Sequence, residues 1–182
     1  MEKILLFYKN RGHEEYHGES VSQIEHAVQS AVLARSILHD DKEFILAAFL
    51  HDIGHLVETK DTEETMGHFG VRSHEAKGAD LLREHGLSEK ICRLVAGHVT
   101  AKRYLVSTNP DYFHGLSEAS KITLIHQGGM MTEAEREVFE SDDLFDLHLK
   151  LRRLDEQSKI VGQPIDADLA WIKEMLYTAS NS

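Results

Sequence analysis

The sequence predicts an all-α fold, a helical bundle in a single domain. Apolar residues recur at three- and four-residue spacing along most of the chain, which is the period of an amphipathic helix. We find no segment with the apolar/polar alternation of a half-buried strand, and only Pro110 and Pro164 interrupt the helical pattern. A chain of 182 residues with 41% hydrophobic content is long enough to bury one core. We therefore expect one domain over residues 1–182.

The limits of the helices follow from the apolar spacing. Helices are predicted over residues 21–38, 43–53, 73–84, 88–107, 116–126, 132–140, 143–157 and 166–178. Ser20, with Gln23 three residues later, resembles a capping box at the start of the first helix. Gly86 is typical of a helix C-terminal stop, and Gly54 indicates that the second helix breaks or ends near His51.

Charge and cysteine content narrow the classes of function. Acidic residues outnumber basic ones 31 to 20, and this balance argues against a broad surface for nucleic acid or an anionic membrane. A local basic pocket for a small anion stays open. The single Cys92 cannot form an internal disulfide, the N-terminus lacks a secretion-signal pattern, and no apolar run reaches membrane-spanning length. We therefore expect a soluble, cytoplasmic protein.

Six His and Asp residues are predicted to meet in the core of the bundle. They are His26, His51, Asp52, His74, His98 and Asp155, each on a segment predicted to be helical. Imidazoles and carboxylates on separate helices can hold two metal ions in a bundle core. A lone histidine in any of these settings is more often a satisfied core or surface residue, so the prediction rests on the joint pattern.

The tandem His51-Asp52 follows the apolar run 44–48, so polar groups enter a helix that is predicted to be buried. Left unpaired, each would cost on the order of a few kcal/mol. Taken alone, the two residues are best explained as a hydrogen-bonded pair, but with the other four positions a metal site is favoured. Asp52 has two oxygens and is predicted to bridge two ions, while His51 binds one. His55 lies four residues after His51 and is expected to support the site from the same helical face.

The chain resembles a known family in the order of these residues. His26, His51-Asp52 and Asp155 resemble the HD-domain superfamily, which is named for its tandem His-Asp, and His74 with His98 resemble the additional ligands of its dinuclear members. Three more motifs narrow the resemblance: EYHGE at 15–19, GHVTAKRYLV at 97–106 and QGG at 127–129. They look like the HD-domain mixed-valent diiron oxygenases of PhnZ type, which cleave the carbon–phosphorus bond of 1-hydroxyphosphonates. The resemblance covers residues 14–160.

The resemblance implies two iron ions, an Fe(II)/Fe(III) pair, with O2 as co-substrate. One iron would be held by His26, His51, Asp52 and Asp155, and the other by Asp52, His74 and His98. The second iron keeps open positions. In the family, a tyrosine that matches Tyr16 fills one of them when substrate is absent, paired with a glutamate that matches Glu19, and both move aside when substrate binds.

The resemblance also points to substrate contacts. Those to the phosphonate would be Lys102, Ser120, Thr123 and Arg152, and Gln127 is a further candidate. The spacing allows this, because Lys102 lies four residues after His98 and Arg152 lies three before Asp155, on shared helical faces. Cations and hydroxyl donors are suited to phosphonate oxygens.

The implied reaction is O2-dependent cleavage of the carbon–phosphorus bond, which gives phosphate and a carboxylic acid. The family acts on 1-hydroxy-2-aminoethylphosphonate, which yields glycine, and on its trimethylammonio counterpart, which yields glycine betaine. The sequence does not choose between them. Tyr16, Glu19, and His68 and Phe69 of the longest predicted loop, residues 56–72, are candidates for that choice.

Two other classes of function stay open. An HD-domain phosphohydrolase uses two divalent ions to activate water for attack on a phosphate ester or nucleotide, and its ligand set can be the same. Tyr16, Glu19 and the stretch around Lys102 favour the oxygenase, because hydrolysis has no evident need of them. A noncatalytic HD sensor module is less favoured, since it would be expected to lose ligands and none of the six is missing.

Overall fold

Helices make up most of the computed structural model, which describes residues 1–16, 18–57, 66 and 70–179. The α-helices are α1 Glu2–Arg11, α2 Gln23–Ile37, α3 Lys42–Leu50, α4 His74–Glu84, α5 Glu89–Thr108, α6 Pro110–Gly115, α7 Glu118–His126, α8 Glu133–Glu140, α9 Phe145–Gln157 and α10 Asp166–Ala179, and a 3-10 helix spans Ile53–Leu56. Within these residues an isolated bridge joins Glu15 to Ser22, and there is no strand. The all-helical prediction is confirmed. None of the described helices is both long and apolar enough to cross a membrane.

Two helices were not predicted from the apolar spacing. α1 is held by Ile4 and Tyr8, which are buried. The Tyr8 hydroxyl donates a 2.8 Å hydrogen bond to the carbonyl of Phe49. α6 begins at Pro110, where the sequence predicts an interruption of the helical pattern. Proline is well suited to the first helical position, and the Asn109 side chain caps this helix by accepting from the backbone N–H of Tyr112.

The predicted capping box at Ser20 is wrong by two residues. α2 begins after Ser22, whose hydroxyl accepts from the backbone N–H of Glu25 at 3.3 Å. The Glu25 carboxylate in turn accepts from the backbone N–H of Ser22 at 2.7 Å. The helix cannot start earlier because Val21 is buried and its carbonyl accepts from the backbone N–H of Tyr16 at 2.8 Å. This pairing holds Tyr16 beside the first turn of α2.

The predicted helix stop at Gly86 is confirmed. Gly86 has a φ of 77°, in the left-handed region that glycine adopts without strain. The backbone N–H of Leu87 donates to the carbonyl of Leu82 at 3.1 Å, and that of Gly86 donates to Arg83 at 3.0 Å. These two bonds form a Schellman motif, which ends α4 and turns the chain into α5.

The core of the bundle is centred on α3. Every residue from Phe44 to Leu50 is buried, and the helix packs against α2, α5, α9 and α10. Full burial of one Leu or Phe side chain stabilises the fold by roughly 1.5–3 kcal/mol. Because α3 runs through the middle of the molecule, the residues that follow its last turn emerge at the centre of the bundle. Those residues are His51 and Asp52.

Candidate metal centre and adjoining pocket

The candidate centre lies where the end of α3 meets the start of α4. α3 ends at Leu50, and the chain passes His51 and Asp52 before the 3-10 helix. A Cβ atom on Gly54 would lie 1.9 Å from the carbonyl oxygen of His74, so only glycine permits this approach. The predicted break at Gly54 is confirmed, and its physical role is to bring His74 next to Asp52.

Backbone carbonyls fix the orientation of the four predicted histidine ligands. The Nδ1 atoms lie 2.8 Å from Ser158 O for His26, 2.8 Å from Ala48 O for His51, 3.3 Å from Val71 O for His74 and 2.7 Å from Val95 O for His98. A carbonyl only accepts hydrogen bonds, so each ring carries its proton on Nδ1 when neutral. Each Nε2 atom is then left with a lone pair, as a metal ligand requires.

These lone pairs converge in two histidine pairs with Asp52 between them. The Nε2 atoms of His26 and His51 are 3.2 Å apart, and those of His74 and His98 are 3.0 Å apart. Asp52 Oδ2 lies 3.6 Å from His26 Nε2 and 3.2 Å from His51 Nε2. Asp52 Oδ1 lies 3.2 Å from His74 Nε2 and 3.3 Å from His98 Nε2. One carboxylate therefore directs one oxygen to each pair.

Asp155 adds a further buried acceptor. Its Oδ1 atom lies 3.4 Å from His26 Nε2 and 3.8 Å from His51 Nε2, and has no hydrogen-bond partner among the described residues. A buried carboxylate oxygen without a donor is unfavourable unless a cation lies beside it.

The acceptors fall into two groups. The candidate ligand atoms of His26, His51 and Asp155 lie within 4.8 Å of one another, and so do those of Asp52, His55 and His74. These two buried groups indicate a dinuclear metal site. Their imidazole and carboxylate donors are suited to transition metals such as iron.

Electrostatics favour a positive charge at this place. Burial alone would raise the pKa of Asp52 and Asp155, yet His51 holds the pKa of Asp52 well below its usual value, and Arg152 does the same for Asp155. Burial alone would lower the pKa of His51, but Asp52 and Asp155 raise it to about 10. The carboxylates thus stabilise a cation among the rings, and a metal ion can replace the proton in that role.

A pocket with a cavity volume of about 50 Å³ adjoins the centre. Asp52, His74, His98 and Asp155 line it, whereas His26 and His51 do not. The residues predicted for catalysis and substrate binding all line this pocket: Tyr16, Glu19, His55, Lys102, Ser120, Thr123, Gln127 and Arg152. The structure therefore brings these residues together on the side of the His74–His98 pair.

Lys102 is the most buried cation of the pocket wall, with 3% of its surface exposed. Its ammonium group donates to Thr123 Oγ1 at 2.7 Å and to Gln127 Oε1 at 3.0 Å. Burial, together with the nearby Arg152 charge, lowers the pKa of Lys102 to about 6. An anion that entered the pocket would restore the charged form of this lysine.

Arg152 connects the pocket wall to the metal centre. Its guanidinium forms ion pairs with Asp155 and Glu156, and its Nε–H donates to the Tyr112 hydroxyl at 2.8 Å. Ser120 Oγ also donates to Glu156, at 3.1 Å. These contacts hold the arginine in the pocket wall and restrict rotation of the Asp155 carboxylate.

Tyr16 lines the pocket and also contacts the His26 side of the centre. Its ring stacks on His26 with centroids 3.9 Å apart, and its hydroxyl donates to Asp52 Oδ2 at 2.7 Å. Burial raises the pKa of Tyr16, and the Asp155 and Asp52 carboxylates raise it further, so the phenol is protonated. The Glu19 carboxylate accepts from Lys159 Nζ at 2.9 Å, and the Glu19 backbone N–H donates to the Tyr16 carbonyl.

The sequence matches the HD domain family over residues 23–162. This chain belongs to the HD-domain family. The matched range includes the tandem His51-Asp52.

Three relatives of this HD-domain chain are similar over most of its length. The uncharacterized protein L432 of Acanthamoeba polyphaga mimivirus is 44% identical over 162 residues, which cover 89% of this chain and 74% of that protein. The hydroxymethylphosphonate dioxygenase of Gimesia maris is 42% identical over 149 residues, 81% of this chain and 72% of its own. The [1-hydroxy-2-(trimethylamino)ethyl]phosphonate dioxygenase (glycine-betaine-forming) of Leisingera caerulea is 40% identical over 158 residues, 84% of this chain and 76% of its own. The resemblance to PhnZ-type HD-domain oxygenases is confirmed.

His55 supports the HD-domain centre from beside His74. Its Nδ1 atom accepts from the backbone N–H of Val71 at 3.0 Å, and its ring stacks on His74 with centroids 3.8 Å apart. The other two candidates for substrate choice, His68 and Phe69, lie outside the described residues.

Three residues that make polar contacts at the site were not predicted from the sequence: Tyr112, Glu156 and Lys159. Glu156 and Lys159 had a usable signal, because they lie four and seven residues after Arg152 and so share its helical face. Tyr112 had none, since it comes from α6, forty positions away from Arg152.

Proposed function

We propose that this HD-domain protein uses O2 to cleave the carbon–phosphorus bond of a 1-hydroxyphosphonate. The observation that carries the proposal is the position of Asp52, with one oxygen toward each histidine pair, beside a pocket that contains Lys102 and Arg152. Two relatives are named as dioxygenases of such compounds: the one that is 42% identical for hydroxymethylphosphonate, and the one that is 40% identical for the trimethylaminoethyl compound.

We assign the two metal positions to iron. One would be held by His26, His51, Asp52 Oδ2 and Asp155, and the other by Asp52 Oδ1, His74 and His98. Imidazole and carboxylate donors suit iron in redox-active centres. When bound, the pair supplies the electron-transfer chemistry with O2. The second position is the one that faces the pocket, so substrate would meet the metal there.

The overall reaction balances with one O2 and no other oxidant. A substrate RCH(OH)PO3²⁻ and O2 give RCOO⁻, HPO4²⁻ and one proton. The C–P and C–H bonds at carbon 1 break, and one new C–O and one new P–O bond form. Carbon 1 is oxidised from the alcohol to the carboxylate level while O2 is reduced, so phosphate and a carboxylic acid are the products.

The chain contributes the binding of the phosphonate group. We assign its oxygens to Lys102 and Arg152, with hydroxyl donors from Ser120 and Thr123 and a further contact from Gln127. Lys102 donates to Thr123 and Gln127 in the structure, and phosphonate oxygens would take the place of these acceptors. A dianion beside Lys102 offsets the effect of burial and favours the charged lysine.

Tyr16 and Glu19 are assigned to gating. Tyr16 covers the carboxylate of Asp52 through its hydrogen bond, and a substrate that reaches the metals would displace the hydroxyl from Asp52. Because the Glu19 backbone N–H donates to the Tyr16 carbonyl, the two residues would shift together while both still line the pocket. His55 would keep His74 in place during this change, since their rings are stacked.

One experiment separates the oxygenase from an HD-domain phosphohydrolase with the same ligands. Iron-loaded protein is supplied with hydroxymethylphosphonate, 1-hydroxy-2-aminoethylphosphonate or its trimethylammonio counterpart, and phosphate and dissolved O2 are measured together. The oxygenase releases one phosphate for each O2 consumed and is inactive without O2. Phosphate release from p-nitrophenyl phosphate under anaerobic conditions, with no O2 uptake on any phosphonate, would establish the hydrolase instead.

A further inference from the structure

Lys159 places an ammonium group in the wall of the pocket, two residues after the end of α9. Its Nζ atom lies 2.9 Å from Glu19 Oε1 and 3.4 Å from Glu156 Oε2. It also lies 5.9 Å from the centroid of the Tyr16 ring. The side chains of Lys159 and Glu19 are only 14% and 18% exposed, and both line the pocket with Tyr16. This arrangement is a cation site that the chain fills with its own lysine.

The same wall is where the substituent on carbon 1 of a substrate would lie. The phosphonate is assigned to Lys102 and Arg152, and the hydroxyl on the same carbon would lie at the pocket-facing metal position beside His74 and His98. A substituent on the same carbon is then directed to the remaining polar wall, which is formed by Tyr16, Glu19 and Lys159.

Binding of a positively charged substrate nitrogen requires a carboxylate or an aromatic ring, and Lys159 already occupies both of these in the pocket wall. An ammonium group needs a carboxylate, and a quaternary nitrogen needs an aromatic face or uncompensated negative potential. Here the carboxylate of Glu19 is neutralised by Lys159, and the nearby aromatic ring is Tyr16, over which Lys159 lies. A second cation in this place would face Lys159 with little solvent between them.

We propose that Lys159 is a specificity-determining residue that excludes substrates with a positively charged nitrogen. The protein then acts on 1-hydroxyphosphonates whose carbon 1 carries hydrogen or a small uncharged group. Hydroxymethylphosphonate, with hydrogen there, is the smallest of them. This inference rests on the proposed function and narrows it. It differs from the expectation from the sequence, which named the amino and trimethylammonio substrates.

The expected strength of this exclusion depends on how far Lys159 and Glu19 are shielded from solvent. Like charges in contact at a partly desolvated site disfavour binding strongly, and this is a common means of rejecting a wrong ligand. Solvent reaches both side chains to some degree, so screening reduces the penalty. We expect a preference of about tenfold or more for hydroxymethylphosphonate over either nitrogen-containing substrate.

The experiment compares three variants with the wild-type protein on all three phosphonates. Lys159→Met removes the charge and keeps most of the side-chain length, whereas Lys159→Arg keeps the charge. Lys121→Met is the matched control, because Lys121 also pairs with a glutamate three residues away, Glu118, but does not line the pocket. Dissociation constants are measured by anaerobic calorimetry on the iron-loaded protein, and kcat/KM is measured by phosphate release in air.

The expected result is a change in preference that is confined to one variant. Wild type, Lys159→Arg and Lys121→Met bind hydroxymethylphosphonate at least about tenfold more tightly than the two cationic substrates. Lys159→Met loses this preference, because Glu19 becomes available to a substrate cation. Adding Glu19→Gln to Lys159→Met removes the gain in binding of the cationic substrates.

Other outcomes overturn the inference. A wild-type preference for a cationic substrate contradicts it directly. An equal loss of affinity for all three substrates in Lys159→Met would mean that Lys159 binds the phosphonate group. Binding with the expected preference but no phosphate release from any substrate would refute the proposed function while supporting the role of Lys159 in selectivity.

Discussion

The hydroxyl of Tyr16 donates a 2.7 Å hydrogen bond to Oδ2 of Asp52, the oxygen that faces His26 and His51. A side chain from the segment before α2 thus reaches the carboxylate that lies between the two candidate metal positions. The bond is short because the donor is a neutral phenol and the acceptor is an ionised, buried carboxylate. Tyr16 is therefore positioned to respond to any change at the centre.

We predict that Tyr16→Phe changes the spectrum of the iron-loaded protein but not its metal content. If Tyr16 becomes a ligand of iron in the resting protein, its phenolate gives a charge-transfer absorption that fades when hydroxymethylphosphonate is added. The variant lacks the band and still binds about two irons per chain, because Tyr16 is outside the set of six ligands. Visible absorption and metal analysis measure the two effects.

Tyr104→Phe is the matched control for this spectrum, since the Tyr104 hydroxyl also donates to a carboxylate at 2.7 Å but at an exposed position. It should keep the band. A band that persists in Tyr16→Phe would show that another group is the source, and would remove the support for gating by Tyr16. Loss of the Tyr16 hydrogen bond alone should reduce the unfolding free energy by about 1 kcal/mol.

A second prediction concerns Asp52. Asp52→Ala should abolish binding of both metal ions, because one carboxylate oxygen faces each histidine pair. Asp155→Ala should mainly weaken the ion held by His26 and His51, since Asp155 lies only on that side. Metal analysis after dialysis gives the stoichiometry, and the exposed Asp40→Ala serves as control. Retention of one tightly bound ion in Asp52→Ala would contradict the bridging assignment.

The third prediction is proton uptake by Lys102 when phosphonate binds. Its pKa is lowered to about 6 by burial and by Arg152, so at about pH 8.5 the free protein holds Lys102 neutral. A bound dianion raises this pKa, and binding should take up close to one proton. At pH values well below 6 the lysine is already charged, and its contribution to proton uptake disappears.

Calorimetry in buffers with different ionisation enthalpies measures this uptake. At about pH 8.5 the phosphonate is already a dianion, so the protein is the source of the signal. Lys102→Met should abolish the uptake and weaken binding about tenfold or more, because a charged hydrogen bond to the phosphonate is lost. Lys121→Met should retain both. Unchanged uptake in Lys102→Met would show that another group takes the proton.

The helical fold was predictable because apolar spacing within each helix is a local signal. The six metal-ligand candidates were predictable because their order along the chain resembles that of a known family. The start of α2 was not, because both Ser20 and Ser22 have an amide or carboxylate residue three positions later, and only the burial of Val21 decides between them. The contact of Lys159 with Glu19 joins residues 140 positions apart, and helix periodicity carries no information on such a pairing. The same holds for α1, which is fixed by Tyr8 on the backbone of Phe49.

The last prediction tests how the end of α3 assembles the centre. Gly54→Ala would place a Cβ atom 1.9 Å from the carbonyl oxygen of His74, and neither backbone segment can move without shifting a ligand. We expect a loss of roughly 3 kcal/mol in the unfolding free energy, and weaker binding of the metal held by His74 and His98. Denaturant unfolding and metal analysis measure these two effects. Gly115→Ala is the matched control, because no atom lies within 4 Å of its added Cβ, and its stability should change by less than about 0.5 kcal/mol. If Gly54→Ala were as stable as this control and kept both ions, the close approach at His74 would not be what holds the centre together.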